Sequence, residues 1–207
     1  MTTQVALTGR HVRLEPLSPA HAEPLFRAAQ GHGARFSFTF VPQTLEAAHA
    51  YVETAQTMHR ENGALAYATV RLEDETVVGS TRLAMLEYWQ WPAGTPERRP
   101  PGVPDAVEIG WTWLTPGAQR TALNTEAKLL MLTHAFETWQ VERVTLKTDE
   151  RNRQSRANIE RVGAKLDGVL RGHMPAADGG VRASAVFSIL AAEWPTVKAG
   201  LRAKLSR

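Results

Sequence analysis

The sequence of 207 residues contains no cysteine, which excludes disulfides, thiolate metal sites and any cysteine-bound covalent intermediate. No stretch approaches the ~18 consecutive apolar residues that a membrane-spanning helix needs. The N-terminus MTTQVALTGRHVRLEPL lacks the positive-then-apolar layout of an export signal. A cytoplasmic protein without a membrane partner is therefore expected. A large excess of one charge sign is also missing: 24 Lys+Arg stand against 21 Asp+Glu, a formal charge of +3. That balance speaks against a basic nucleic-acid face, and a phosphate-bearing ligand accounts for it. His11 and His173 have no neighbouring ligands at metal spacing, and His134 reads as a helix histidine, so no metal is expected.

What is present is ordinary for a globular chain, with 43% hydrophobic and 22% charged residues, and the length suits one domain over residues 1–207. HVRLEPL alternates as a half-buried strand. Ser18-Pro19 then opens a helix on Ala22, Leu25, Phe26 and Ala29 that stops at Gly31 and Gly33. A second helix follows Thr44 and ends at Asn62-Gly63. Between them Phe36, Phe38 and Phe40 share one side of an extended segment, read as core or pocket lining. LAYATVRL and TVVGSTRLAML form an antiparallel pair around Glu73-Asp74-Glu75. Residues 88–105 carry five prolines and read as an exposed insertion, with the roles of lid, homodimer contact or plain surface left open. AVEIGWTWL is a strand with Val107, Ile109, Trp111 and Trp113 on one face and Glu108, Gly110 and Thr112 on the other. A helix over 121–140, the strand RVTLKTD, a helix from Asn152 to Val162 ended by Gly163, a strand pair around Asp178-Gly179-Gly180 and a last helix over 193–205 complete an α/β chain with a mixed sheet.

Two strand-to-helix junctions carry the chemistry. The loop from Gln119 to Ala127 runs small and polar residues into a helix, aiming free amides and the positive helix end at one place, which suits a pyrophosphate; Arg120 adds a cation. At the second junction, Asn152 reads either as an N-cap or as an amide that holds an extended ligand arm.

From Gly9 to Pro195 the chain resembles the ribosomal-protein N-acetyltransferase branch of the GNAT superfamily. The motifs are Val78-Gly79-Ser80-Thr81-Arg82, Glu108-Ile109-Gly110-Trp111-Thr112-Trp113-Leu114, Leu123-Asn124-Thr125-Glu126-Ala127-Lys128 and Asn152-Arg153-Gln154-Ser155-Arg156 with Gly163-Ala164. The resemblance implies a single GNAT domain, a mixed and mostly antiparallel sheet with splayed central strands flanked by helices, and acetyl-coenzyme A as cosubstrate. The family's phosphate signature falls on Gln119, Ala122 and Asn124, with both of its glycines replaced. Alanine serves if its φ is negative, as the first turn of a helix requires. Arg120, Thr121, Leu123 and Thr125 complete that loop. The backbone of Trp113 and Leu114 is expected to pair with the pantetheine arm, and Asn152 to hold its far side.

For the reaction, the resemblance implies that Glu108 draws a proton from the amine through water and that Ser155, where many relatives have tyrosine, assists the leaving thiolate. At a reference pKa of roughly 4.3 the carboxylate is a weak base unless burial raises it; a salt-bridged or solvent-facing strand glutamate is the plainer reading. Tyr67 and Tyr88 are weaker candidates. The acceptor, a protein N-terminus or a small amine, approaches over Phe38, Phe40, Ser80, Arg82 and Trp111, and transfer is direct within a ternary complex. The rival is a catalytically silent acyl-CoA sensor, suggested by Ala122, Asn124 and the Ala183 that follows Arg182.

Overall fold

The computed structural model describes residues 4–31, 36–96 and 101–206. Gly33 and part of the proline-rich insertion, including the basic pair Arg98 and Arg99, lie outside the described residues.

Eight strands form one sheet in the order β1-β2-β3-β4-β5-β6-β8-β7: β1 (Leu7–Thr8), β2 (Val12–Pro16), β3 (Leu65–Arg71), β4 (Thr76–Glu87), β5 (Ala106–Leu114), β6 (Arg143–Asp149), β7 (Lys165–Pro175) and β8 (Val181–Leu190). All neighbours are antiparallel except β5 and β6. The helices are α1 (Ala22–Ala29), α2 (Leu45–Asn62), α3 (Ala122–Thr133), α4 (Arg153–Val162) and α5 (Trp194–Leu205). This is the expected single-domain α/β fold with an open mixed sheet. Among the described residues no helix is long and apolar enough to cross a membrane.

Local chemistry explains most boundaries. The Thr44 hydroxyl accepts from the Ala47 amide at 3.0 Å and so starts α2, while Gly63 ends it with φ 69°. Pro19–His21 forms a 3₁₀ turn, so α1 begins at Ala22 rather than at Pro19. The long helix expected over 121–140 is interrupted: α3 stops at Thr133, and a π turn over His134–Thr138 follows, closed by the Trp139 amide on the His134 carbonyl at 3.1 Å. The His134 and Trp139 rings pack edge to face at 4.8 Å there.

The sheet separates two apolar layers. On one side α3, α4 and α5 bury Leu123, Met131, Leu132, Ile159, Val162, Trp194 and Leu201 against Val107, Ile109, Val144 and Phe187. On the other, α1 and α2 bury Leu25, Ala29, Ala48 and Val52 against Ala66, Ala68 and Trp113.

That division corrects the reading of β5. Val107 and Ile109 belong to the α3 layer, whereas Trp113 lies in the α1/α2 layer. The cause is a bulge: Arg82 pairs with Gly110 and Ser80 with Trp113, so Thr81 faces two β5 residues, and Trp111 turns to φ 49°. Alternation restarts out of phase, sending Thr112 to the α3 side and leaving the Trp111 ring over Arg82.

Candidate active site

The bulge sits where the sheet opens. β5 pairs with β6 only at Ala106↔Arg143, Val107↔Val144 and Glu108↔Thr145. Beyond Glu108, β5 stays with β4 through Ser80↔Trp113 and Gly79↔Leu114, while β6 continues beside β8 to Asp149↔Ser184. The facing edges of 109–114 and 146–149 therefore leave backbone groups available to an extended ligand. Gly79 makes the close β4–β5 approach feasible, since a Cβ there would lie 2.0 Å from the Trp113 carbonyl oxygen.

The α3 N-terminus adjoins this opening. Gln119 Nε2 donates to the Leu114 carbonyl at 3.0 Å, tying the loop to the end of β5. Arg120 is exposed and held at φ 61°, a conformation that non-glycine residues seldom adopt. The Thr121 hydroxyl caps the Leu123 amide at 3.3 Å; the other first-turn amides, Ala122 and Asn124, have no intrahelical partner. Neither residue has positive φ, the condition under which these replacements of glycine are tolerated. Asn124 Oδ1 is buried without a hydrogen-bond partner among the described residues. The Leu123 side chain is core, and the Thr125 hydroxyl accepts from Arg161 at 3.1 Å, so those two offer backbone only. Orphan amides, a helix dipole and an exposed cation together fit a pyrophosphate.

Across the opening, Asn152 is the N-cap of α4, its Oδ1 accepting from the Ser155 amide at 3.0 Å. That is the plainer of the two readings, and it leaves the Nδ2 protons to a ligand. The half-buried Ser155 hydroxyl has no partner among the described residues.

Glu108, Arg82 and Ser80 share the α1/α2 face by register, since Ala84 pairs with Glu108 and Arg82 with Gly110. The Glu108 carboxylate is paired with Lys147 at 2.8 Å and lies against Gly110, where a Cβ would approach it to 3.0 Å. Ser80 is buried, donating to the Tyr67 carbonyl at 2.9 Å and accepting from the Tyr51 hydroxyl at 3.2 Å. Phe38 stacks under Arg151, with 5.5 Å from guanidinium to ring centroid. Phe36 packs edge to face on Trp113. Phe40, by contrast, is 73% exposed, so the three phenylalanines do not form one wall. Tyr67 is core, and burial pushes its phenol well above the ordinary range; Tyr88 is exposed at the start of the insertion.

Two residues at this site escaped the sequence reading. Lys147 becomes Glu108's partner only through the register of β5 and β6. His173 is half-buried, with Nδ1 2.9 Å from the Ser184 hydroxyl. Burial, then the charges of Lys147 and Arg182, lower its pKa, and Glu108 opposes them. The imidazole is thereby biased to the neutral form that accepts a proton. No sequence signal links His173 to Glu108, because β6 and β8 intervene in the sheet order. Among the described residues no cluster of His, Asp and Glu could hold a metal.

This geometry agrees with known proteins. The acetyltransferase (GNAT) domain family matches residues 11–165. A structure from T. thermophilus described as an acetyltransferase is 35% identical, with a TM-score of 0.78 and coverage of 99% of each chain. A GCN5-related N-acetyltransferase from Brucella melitensis is 27% identical at TM-score 0.82, covering 99% of this chain and 86% of that one. At 17% identity and TM-score 0.71, the microcin C7 self-immunity acetyltransferase MccE, solved with acetyl-CoA and AMP, shares the fold over 88% of this chain and 93% of its own. No curated protein matches the sequence. With three quarters of its length matched and its central strands parted beside a helix N-terminus, the chain belongs to the GNAT acetyltransferase family, whose acetyl donor is acetyl-CoA.

Proposed function

We propose that this protein is a cytoplasmic N-acetyltransferase that moves the acetyl group of acetyl-CoA directly to an amine within a ternary complex. The observation that carries this reading is the parting of β5 from β6 after Glu108, beside the uncapped amides of α3. The pyrophosphate is held by Gln119, Arg120 and the free amides of Ala122 and Asn124 at the head of α3. The backbone of Trp113 and Leu114 pairs with the pantetheine arm, and Asn152 donates from the opposite side.

In the transfer an N–C bond forms, the C–S bond breaks, and the proton lost by nitrogen ends on the thiolate. Glu108 receives the amine proton through water. Its pairing with Lys147 orients the carboxylate. Ser155, whose hydroxyl is uncommitted, hydrogen-bonds the leaving sulfur. Positioning supplies most of the rate. By resemblance the acceptor is a protein α-amine of the ribosomal kind or a small amine, entering over Phe38, Ser80, Arg82 and Trp111.

His173 is a second candidate for the proton acceptor, half-buried, held by the Ser184 hydroxyl and within the field of Glu108. The silent acyl-CoA sensor is the rival for the whole chain. Thiol release with an amine panel separates these readings, with intersecting initial-rate lines expected for a ternary complex. Glu108→Gln should reduce kcat by about 100-fold or more with CoA affinity kept, and Ser155→Ala by less. If His173→Gln carries the large loss and Glu108→Gln does not, His173 is the base. No thiol release with any amine leaves the sensor.

A further inference from the structure

Arg82 is 2% exposed, yet among the described residues no carboxylate answers it. Its guanidinium meets only the Met58 sulfur at 3.2 Å and the Tyr51 carbonyl at a long 3.5 Å there, and Nε has no partner. The charge lies over the faces of two rings, Tyr51 at 4.6 Å to the centroid and Trp111 at 5.5 Å. Cation–π contact recovers part of the desolvation cost of a buried charge, but the donor fork meets only a sulfur and a distant carbonyl and no oxyanion. Arginine donors in that state match the two oxygens of a carboxylate or phosphate. Trp111 is 37% exposed, so the fork lies one side chain from solvent.

Position narrows the ligand further. Arg82 and Glu108 lie on the same face of adjacent strands and are offset diagonally, because Arg82 pairs with Gly110 and Glu108 with Ala84. Diagonal neighbours of this kind are roughly 7–8 Å apart at their backbones. An acceptor nitrogen delivered to Glu108 therefore places an oxyanion a few bonds away at Arg82. We infer that the acceptor is a small amine carrying a carboxylate or phosphate close to its nitrogen, and that Arg82 is the residue that binds this oxyanion. The inference rests on the acetyltransferase reading of this face, and it selects the small molecule over a protein N-terminus, whose first carbonyl is an uncharged amide.

The test compares matched acceptors in the wild type, Arg82→Met and Arg82→Lys. Phenylalanine against phenylalaninamide isolates a carboxylate, and phosphoethanolamine against ethanolamine isolates a phosphate. The readout is the ratio of kcat/KM within each pair, from which intrinsic amine reactivity cancels between variants. One pair should lose about 10- to 100-fold of its preference for the anion in Arg82→Met, with Arg82→Lys between the two. The pair affected tells carboxylate from phosphate. Ratios unchanged in both pairs overturn the inference while leaving acetyl transfer standing.

If no amine is acetylated, the acetyltransferase reading fails and binding decides about Arg82. With coenzyme A present to fill its own phosphate site, phenylalanine or inorganic phosphate should raise the unfolding midpoint of the wild type more than that of Arg82→Met. Equal shifts overturn the inference. A separate readout excludes a merely structural arginine: the ligand-free Arg82→Met variant should melt higher than the wild type, because an uncompensated charge is gone. A lower midpoint with unchanged ratios assigns Arg82 to the core.

Discussion

Lys128 and Arg82 are buried cations on opposite sides of the same strand pair, and their surroundings differ. Arg82 has aromatic faces, a sulfur and a distant carbonyl, and among the described residues no carboxylate. Lys128, on α3, donates to the Thr112 hydroxyl at 2.8 Å, and Thr81 and Thr112 bond each other at 2.7 Å. Hydroxyls without a carboxylate cannot offset desolvation, so burial lowers the Lys128 pKa from 10.5 to about 7. Between those values the unfolded chain holds the proton and the folded chain does not, so this residue makes stability rise with pH across that window. Below about 7 both states hold it and the cost is complete. Lys128→Met should therefore be more stable than the wild type near and below pH 7, the difference shrinking as pH approaches 10.5. Denaturant titrations across the window check this; a difference that does not vary with pH would refute it. Arg120 offers a second test at this scale. Its φ of 61° costs about 1 kcal/mol in a non-glycine residue. Arg120→Gly should leave the ligand-free protein at equal or slightly higher stability while weakening coenzyme A binding, read together by calorimetry and thermal unfolding.

At the scale of elements, the site is built by one irregular strand. VEIGWTWL reads as unbroken alternation, and that is why the sequence placed Trp111 and Trp113 beside Val107; the bulge that moves them is a backbone event with only Gly110 nearby to hint at it. Where a local signal fixes a boundary, the reading and the structure agree: Thr44 and Gly63 around α2, and Asn152 and Gly163 around α4. The Gln119–Thr125 loop was legible for the same reason, since capping and orphan amides are properties of adjacent residues. Lys147 and His173 were not, because their relation to Glu108 is made by strand order. Gly79 was visible as part of a motif, but its purpose needs the neighbouring strand. Gly79→Ala drives a methyl into the Trp113 carbonyl, a backbone atom that cannot move without opening β4–β5. A loss of about 2 kcal/mol or more is expected by denaturant unfolding, with a larger loss of acetyl-CoA affinity than a core substitution of equal cost produces.

For the whole molecule, the α3/α4/α5 layer runs along the sheet from β2 to β8, whereas the α1/α2 layer covers only β3 to β5, and β5 and β6 separate at its border. On the reading proposed above, the cofactor fills the gap between β5 and β6 and joins elements distant in the chain: β5, the head of α3 and the head of α4. A ligand in that position binds the folded state alone. At ~100 times Kd it should add about 2.7 kcal/mol of stability. For a chain of this size each kcal/mol moves the midpoint by roughly 2–4 °C, so saturating acetyl-CoA should raise it by about 5–11 °C. The Gln119→Ala and Asn152→Ala variants divide that gain. Gln119 ties the loop before α3 to Leu114, and Asn152 caps α4 from the far side of the opening. Both should lower the ligand-induced shift more than the ligand-free midpoint. A full-size shift in both variants would mean that the donor binds elsewhere, and no shift in the wild type at millimolar acetyl-CoA would remove the role of the opening altogether.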